Sequence, residues 1–432
     1  TAITPENSGT PEKPATDSNP TDGVRKTTDG GLPKSPDAAE TDTPVKDTPV
    51  KDTPVKDTPL ATESGRFLAS ERPQFLGRQA TETGDWTRLP PRTVLQSGDR
   101  LLTLPTYRPQ IALTSGVQMT VVGPAEASLY RDEQASRLQI HFGRILLDTA
   151  GVSGASIQIE FSNRRGTAIF TNPEATLAVQ VSNRLPAGQD PATAPRVEEV
   201  TLHATSGTVH WLESEDEPPT VIDAGMALMF HEGEGSVAPI ELPAWVDGND
   251  LRVIDLRASR DLEPLLDTER PLRVSLLEQA DARQVEVSAL AIQSLGMVGM
   301  YDQAVDSFDD VRHHSYWRYH LTMLLSRVAH SPEEAAKVNA ALNRLREADA
   351  PTMYKIMWGH TQEQLDDGAD AELVVLLESE YMDMRVLAIE TLRTITGGKT
   401  HLYRPEKLPI QQKKPIQDWR GNLENKTIRY PK

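Results

Sequence analysis

Few residue groups in this chain have the types and spacing that chemistry requires. Gly397-Gly398-Lys399-Thr400 has the ending of a phosphate-binding loop. Such a loop needs a further Gly five residues before Gly398 and a strand before it, so that backbone N–H groups can cradle phosphate. Arg393 stands at that position, and the preceding pattern is helical, so a glycine helix stop is expected. Asp148-Thr149-Ala150-Gly151 resembles a metal-site turn or half of an aspartic-protease signature, but it has no second copy and reads as a β-turn. Gly151-Val152-Ser153-Gly154 lacks the last Gly of a nucleophile elbow.

Ten His residues are scattered. His203 and His210 are spaced to fall on neighbouring strands. His313 and His320 are spaced for one helix face two turns apart, too far to share a metal without a third element. Tyr316, Trp317 and Tyr319 beside them read as packing residues. Glu213-Ser214-Glu215-Asp216-Glu217 reads as a solvated acidic turn without the calcium-loop spacing. With 0 Cys there is no thiolate nucleophile, disulfide or Cys-held zinc. The residues therefore nominate no catalytic, cofactor-binding or metal site, and a non-enzyme is expected. Lys+Arg 45 against Asp+Glu 63 gives a net charge of -18, which disfavours a nucleic-acid partner.

The elements that would position any site fall into blocks. Residues 1–66 are rich in Pro, Thr, Asp and Lys and contain no aromatic before Phe67. Asp42-Thr43-Pro44-Val45-Lys46 repeats through Asp57-Thr58-Pro59. Each Pro fixes φ and biases its predecessor away from helix, so a disordered linker is expected.

From Arg88 to Phe230, short alternating runs are punctuated by Gly, Pro or Asn. They include Val117 to Val121 before Gly123-Pro124, Leu138 to Phe142 before Gly143, Ile157 to Phe161, Val200 to Ala204 and Met226 to Phe230. About ten short strands with one buried face each are expected. From Pro271 the period becomes helical. Ser331-Pro332-Glu333-Glu334 has a Ser N-cap, a first-turn Pro and a Glu for a capping box. Met384 to Ile395 predicts a helix stopped by Gly397-Gly398. Leu290 to Leu295, Ala340 to Leu345 and Leu387 to Leu392 repeat at spacings of about 50 residues, near the length of a two-helix HEAT unit.

The β region resembles a FecR-type domain, the extracytoplasmic sensor module of bacterial transmembrane sigma-factor regulators. The residues that carry the likeness are Gly98-Asp99-Arg100-Leu101-Leu102-Thr103, Ile111 to Val117 running to Ala125, Leu138 to Ile145, and Leu202 to His210. Tyr381 to Ile389, Tyr403-Arg404-Pro405-Glu406 and Trp419-Arg420 resemble a terminal HEAT-like helix and tail, a combination similar to large planctomycete-type bacterial proteins.

The expected organisation is multidomain, β then α. A disordered linker spans 1–66, and an all-β FecR-like domain 67–235. A Pro-punctuated ordered connector, 236–270, is anchored by Trp245, Val253, Ile254 and Leu256. An all-α HEAT-like domain spans 271–398, and a tail 399–432. The implied function is a non-catalytic extracytoplasmic sensor or interaction module in the periplasm or cell envelope. Its partner would be a protein or envelope component, with no cofactor. The chain begins at Thr1, so the resemblance further implies a membrane tether upstream of that residue. A structural scaffold of the envelope is the alternative.

Overall fold

In the computed structural model, the described residues are 62–431 apart from 133, 134, 163, 215, 232 and 233. The linker expectation falls almost wholly on residues 1–61, outside them. Strand β1 (Glu63–Phe67) already begins within the stretch read as linker. Short strands follow: β2 (Gly77–Gln79), β3 (Trp86–Arg88), β4 (Val94–Gln96), β5 (Arg100–Thr103) and β6 (Gln110–Leu113). Two long strands, β7 (Gln118–Arg131) and β8 (Ser136–Asp148), form the spine. Then come β9 (Ser156–Phe161), β10 (Arg164–Phe170), β11 (Thr176–Arg184), β12 (Val197–Ser206), β13 (Thr208–Leu212), β14 (Thr220–Asp223), β15 (Met226–His231) and β16 (Glu234–Pro239).

All sixteen belong to one sheet whose main path runs β14-β13-β10-β9-β8-β11-β12-β15-β16. Its described pairs are antiparallel except β8 with β9. The resembling phrase Gly98-Asp99 is the β4–β5 turn, where Gly98 takes a positive φ of 95° and Asp99 accepts from the Gln96 N–H at 2.8 Å.

The spine corrects the expectation that strands stop at Gly123-Pro124 and at Gly143. Both strands run through, with register shifts between Val122 and Ala127 of β7. A bulge re-aims alternation without ending the ladder. In β8 the inward residues are Leu138 and Ile140 before the irregularity and Ile145 and Leu147 after it. These glycines allow close approach. A Cβ on Gly123 would meet the Leu104 carbonyl oxygen at 1.9 Å, and one on Gly143 would meet the Ala125 Cβ at 2.3 Å. One sheet core gathers Phe161, Trp211 and Phe230, with ring centroids 5.7–6.3 Å apart.

The helices are α1 (Ala244–Asp247), α2 (Val253–Leu262), α3 (Leu272–Ala280), α4 (Val285–Met297), α5 (Asp302–Asp306), α6 (Trp317–His330), α7 (Pro332–Leu345), α8 (Ala350–Met357), α9 (Gln362–Gln364), α10 (Asp370–Leu376), α11 (Met382–Ile395) and α12 (Lys413–Glu424). The repeated sequence stretches fall on α4, α7 and α11, each packed on the helix before it in the pairs α3/α4, α6/α7 and α10/α11. Ser331 caps α7 by accepting from the Glu334 N–H at 3.2 Å. The expected capping box does not close there, because the Glu334 carboxylate turns instead to Tyr301, Arg327 and Lys337. Gly397 and Gly398, both at positive φ, end α11, with the Gly398 N–H reaching the Arg393 carbonyl at 2.7 Å.

In the connector, Trp245 packs on Val122 and Ala178 of the sheet. Val253, Ile254 and Leu256 do not act as the expected anchors: Val253 is 84% exposed. Ala258 and Leu262, in the later turns of α2, and Leu266 just beyond it take that role. They share a core with Phe75, Trp86, Leu102, Leu104 and Tyr107 of the β region.

Polar clasps reinforce this seam. Tyr107 donates to the Ser259 carbonyl at 2.9 Å, and Arg88 donates to the Glu263 and Leu266 carbonyls. Arg108 donates to the carbonyls of Trp245 and Val246, both at 2.8 Å. A buried seam of this kind holds the sheet and the helices in a fixed relation.

A cleft between sheet and helices, and an open sheet edge

A cleft of about 650 Å³ lies between the sheet and α6. The sheet wall comes from Phe142, Gly143 and Arg144 of β8 and Gln180 to Asn183 of β11. The helix wall is one face of α6, Arg318, Tyr319, Thr322, Met323, Ser326, Arg327 and His330, at the three-to-four-residue spacing of a helix face. Gln293 and Met297 of α4 complete it. Pro105, Pro124, Arg144, Gln293 and Tyr319 also line a smaller recess of about 190 Å³ that reaches Arg252 and Tyr316.

The C-terminal end of α6 is pinned to the sheet. His330 meets Phe142 edge-on at 5.2 Å, and its carbonyl accepts from Asn183 at 3.4 Å. Arg327 lies 5.0 Å from the centre of the Phe142 ring.

All the charged groups in the cleft lining are arginines. Arg327 is nearly buried. Burial opposes its charge, but Tyr301 and Glu334 more than offset this and hold its pKa above the usual value. Arg144 is placed 5.6 Å from the Trp245 ring centre and 3.4 Å from Asp250. Burial nevertheless lowers its pKa. His330 is pushed down to about 4, first by burial and then by Arg327, so it is neutral near neutral pH. Its ring hydrogen-bonds to no hydroxyl of the cleft among the described residues.

Tyr319, read from sequence as packing, is 42% exposed and lines the cleft, whereas Tyr316 and Trp317 are buried. Nothing in local spacing reveals this, because the opposing wall lies more than a hundred residues earlier in the chain.

His203 and His210 sit on β12 and β13, which do not pair, so they are not on neighbouring strands. The chain brings together His313 and His320, with ring centroids 5.4 Å apart. Ser288 lies 3.3 Å from His313 Nε2, and Ser307 lies 2.7 Å from His320 Nδ1. The Gly397 motif is a helix stop, as above. Asp148 accepts from the Ala150 N–H in a turn. Glu213 forms a two-oxygen contact with Arg164 and so is not simply solvated. No group of three or more His, Asp or Glu suited to a metal occurs among the described residues.

Burial, then the neighbouring His313, pushes His320 down to about 3. An unfolded His titrates near 6.5. Between those values the unfolded chain takes a proton that the folded chain refuses, so this contribution is intact above about pH 6.5 and lost as pH falls toward 3. From about pH 7.5 to about pH 5, urea unfolding should lose about 2 kcal/mol more in the native protein than in a His320→Asn variant. Equal losses would show that His320 does not resist protonation.

The second feature is the edge strand β16. It pairs with β15 and with no other strand among the described residues, and both of its faces are exposed. Val237 and the following Ile240 and Leu242 add exposed apolar side chains. An unpaired edge with apolar side chains is a template for strand addition.

No family model matches the chain, and no curated protein does. A solved structure from Parabacteroides distasonis ATCC 8503, assigned provisionally as an anti-sigma factor, is similar at 10% identity and a TM-score of 0.24. The match covers 34% of this chain and 65% of that one. No helix among the described residues is long and apolar enough to cross a membrane.

Proposed function

We propose that this protein is a non-catalytic, extracytoplasmic protein-binding module of the FecR-like sensor kind, and that its partner adds an extended segment to β16. The observation that carries this reading is the strand itself, which is exposed on both faces, apolar at Val237 and open along its outer side among the described residues. Backbone hydrogen bonds would supply affinity, and side chains flanking Val237 would supply selectivity.

The test is selection of binders from a random peptide library on the full-length protein, followed by measurement against Val237→Lys. Edge lysines block strand addition. The variant should melt within about 2 °C of the native protein, since the site is exposed. It should bind the selected peptides at least about tenfold more weakly. Peptides that bind Val237→Lys as tightly as the native protein would rule out β16 as the contact.

A further inference from the structure

We propose that the cleft between β8, β11 and α6 binds an amphiphilic organic anion, a small molecule with one carboxylate-type head and an apolar body. This goes beyond strand addition at β16 and does not depend on it.

Size is the first support. At about 650 Å³, the cleft falls within the range of about 300–1,000 Å³ typical of small-molecule sites. Charge is the second. The chain carries -18 overall, yet the charged groups of this lining among the described residues are Arg144, Arg318 and Arg327; the carboxylates nearby, Asp250, Asp255 and Glu286, line the adjoining recess. A local cationic site on an acidic protein concentrates anions and repels cations, and gives a neutral molecule no such gain.

The three arginines are not equivalent. Arg327 is held by Tyr301 and Glu334. Arg144 uses one guanidinium nitrogen on Asp250 at 3.4 Å, leaving other donors of its fork. Arg318 is exposed on the opposite wall, near enough to Glu390 to help oppose the burial that raises the Glu390 pKa. Each wall therefore offers a guanidinium to an anionic head, Arg144 from the sheet and Arg318 from α6. Guanidinium forks fit carboxylates and phosphates better than ammonium groups do.

The third support is the apolar part. Phe142, Tyr319, Met297 and Met323 offer rings and adaptable thioethers. The neutral His330 at the far end adds no charge.

The probes are dodecanoate and 2-naphthoate, titrated into the full-length protein by calorimetry, with dodecanol and dodecyltrimethylammonium as controls. At least one carboxylate should bind, and the neutral and cationic controls should bind at least about tenfold more weakly. Arg318→Glu reverses the rim charge and should weaken carboxylate binding at least about tenfold. Thr322→Trp fills the cleft from an exposed position and should remove binding. Thr322→Trp should melt as the native protein does, and Val237→Lys should bind the carboxylate normally. Failure of both carboxylates, equal binding of the controls, or unchanged binding in the two cleft variants would overturn the proposal. A Val237→Lys result alone bears on the strand edge and not on this site.

Discussion

Trp419→Ala should lower the stability of the folded protein by about 3–5 kcal/mol. The stretch from residue 399 reads in sequence as a tail, yet α12 carries Ile416 and Trp419 into the same core as Val374, Leu377 and Tyr403. Trp419 is 0% exposed. His401 meets its ring edge-on at 4.8 Å, and Asn422 holds His401 at 2.6 Å. Tyr403 ties the preceding loop to the Leu377 carbonyl at 2.6 Å. Truncating the indole leaves a cavity that the surrounding helices refill only in part. Urea unfolding measures the effect, and a loss below about 1 kcal/mol would mean that α12 is peripheral to the fold.

Glu334→Gln should cost about 3 kcal/mol, because it leaves Arg327 charged and nearly buried without its anion. Glu334 also contacts Tyr301 and Lys337, so one carboxylate joins α6, α7 and the loop before α5. Removing both ends of the pair is a different matter. Replacing a buried pair with apolar groups of similar volume is often close to neutral. The double variant Arg327→Met/Glu334→Leu should therefore recover most of what Glu334→Gln loses. Equilibrium unfolding of the three proteins checks this. A neutral Glu334→Gln would show that solvent screens Arg327 despite its side-chain exposure of only 7%.

What the sequence makes legible follows from how local each signal is. β9 alternates over six residues with one face buried, so period two is visible. The cap at Ser331 and the stop at Gly397-Gly398 are local backbone chemistry, readable from adjacent residues. Gly123 and Gly143 mislead because a glycine can mark close approach within a strand as well as a turn. Strands β2, β3 and β4, at three residues each, are too short to establish a period. β16 is hidden because it buries neither face, and Glu-Gly-Ser-Val-Ala-Pro carries no alternation.

The cleft could not be read at all. Arg144 and Arg318 line one cleft only because the Tyr107, Arg88 and Arg108 clasps set the helices against the sheet. Tyr319 illustrates the limit: its helical spacing suits burial, and only the position of β8 and β11 decides that it faces an opening.

Amide hydrogen exchange on the full-length protein, with and without a library-selected peptide, tests strand addition most directly. New backbone hydrogen bonds along an edge slow exchange at that edge. The account predicts added protection centred on Glu234–Pro239, absent when the same peptide is mixed with Val237→Lys. Protection confined to the helices, or binding that leaves Glu234–Pro239 exchanging as before, would contradict it.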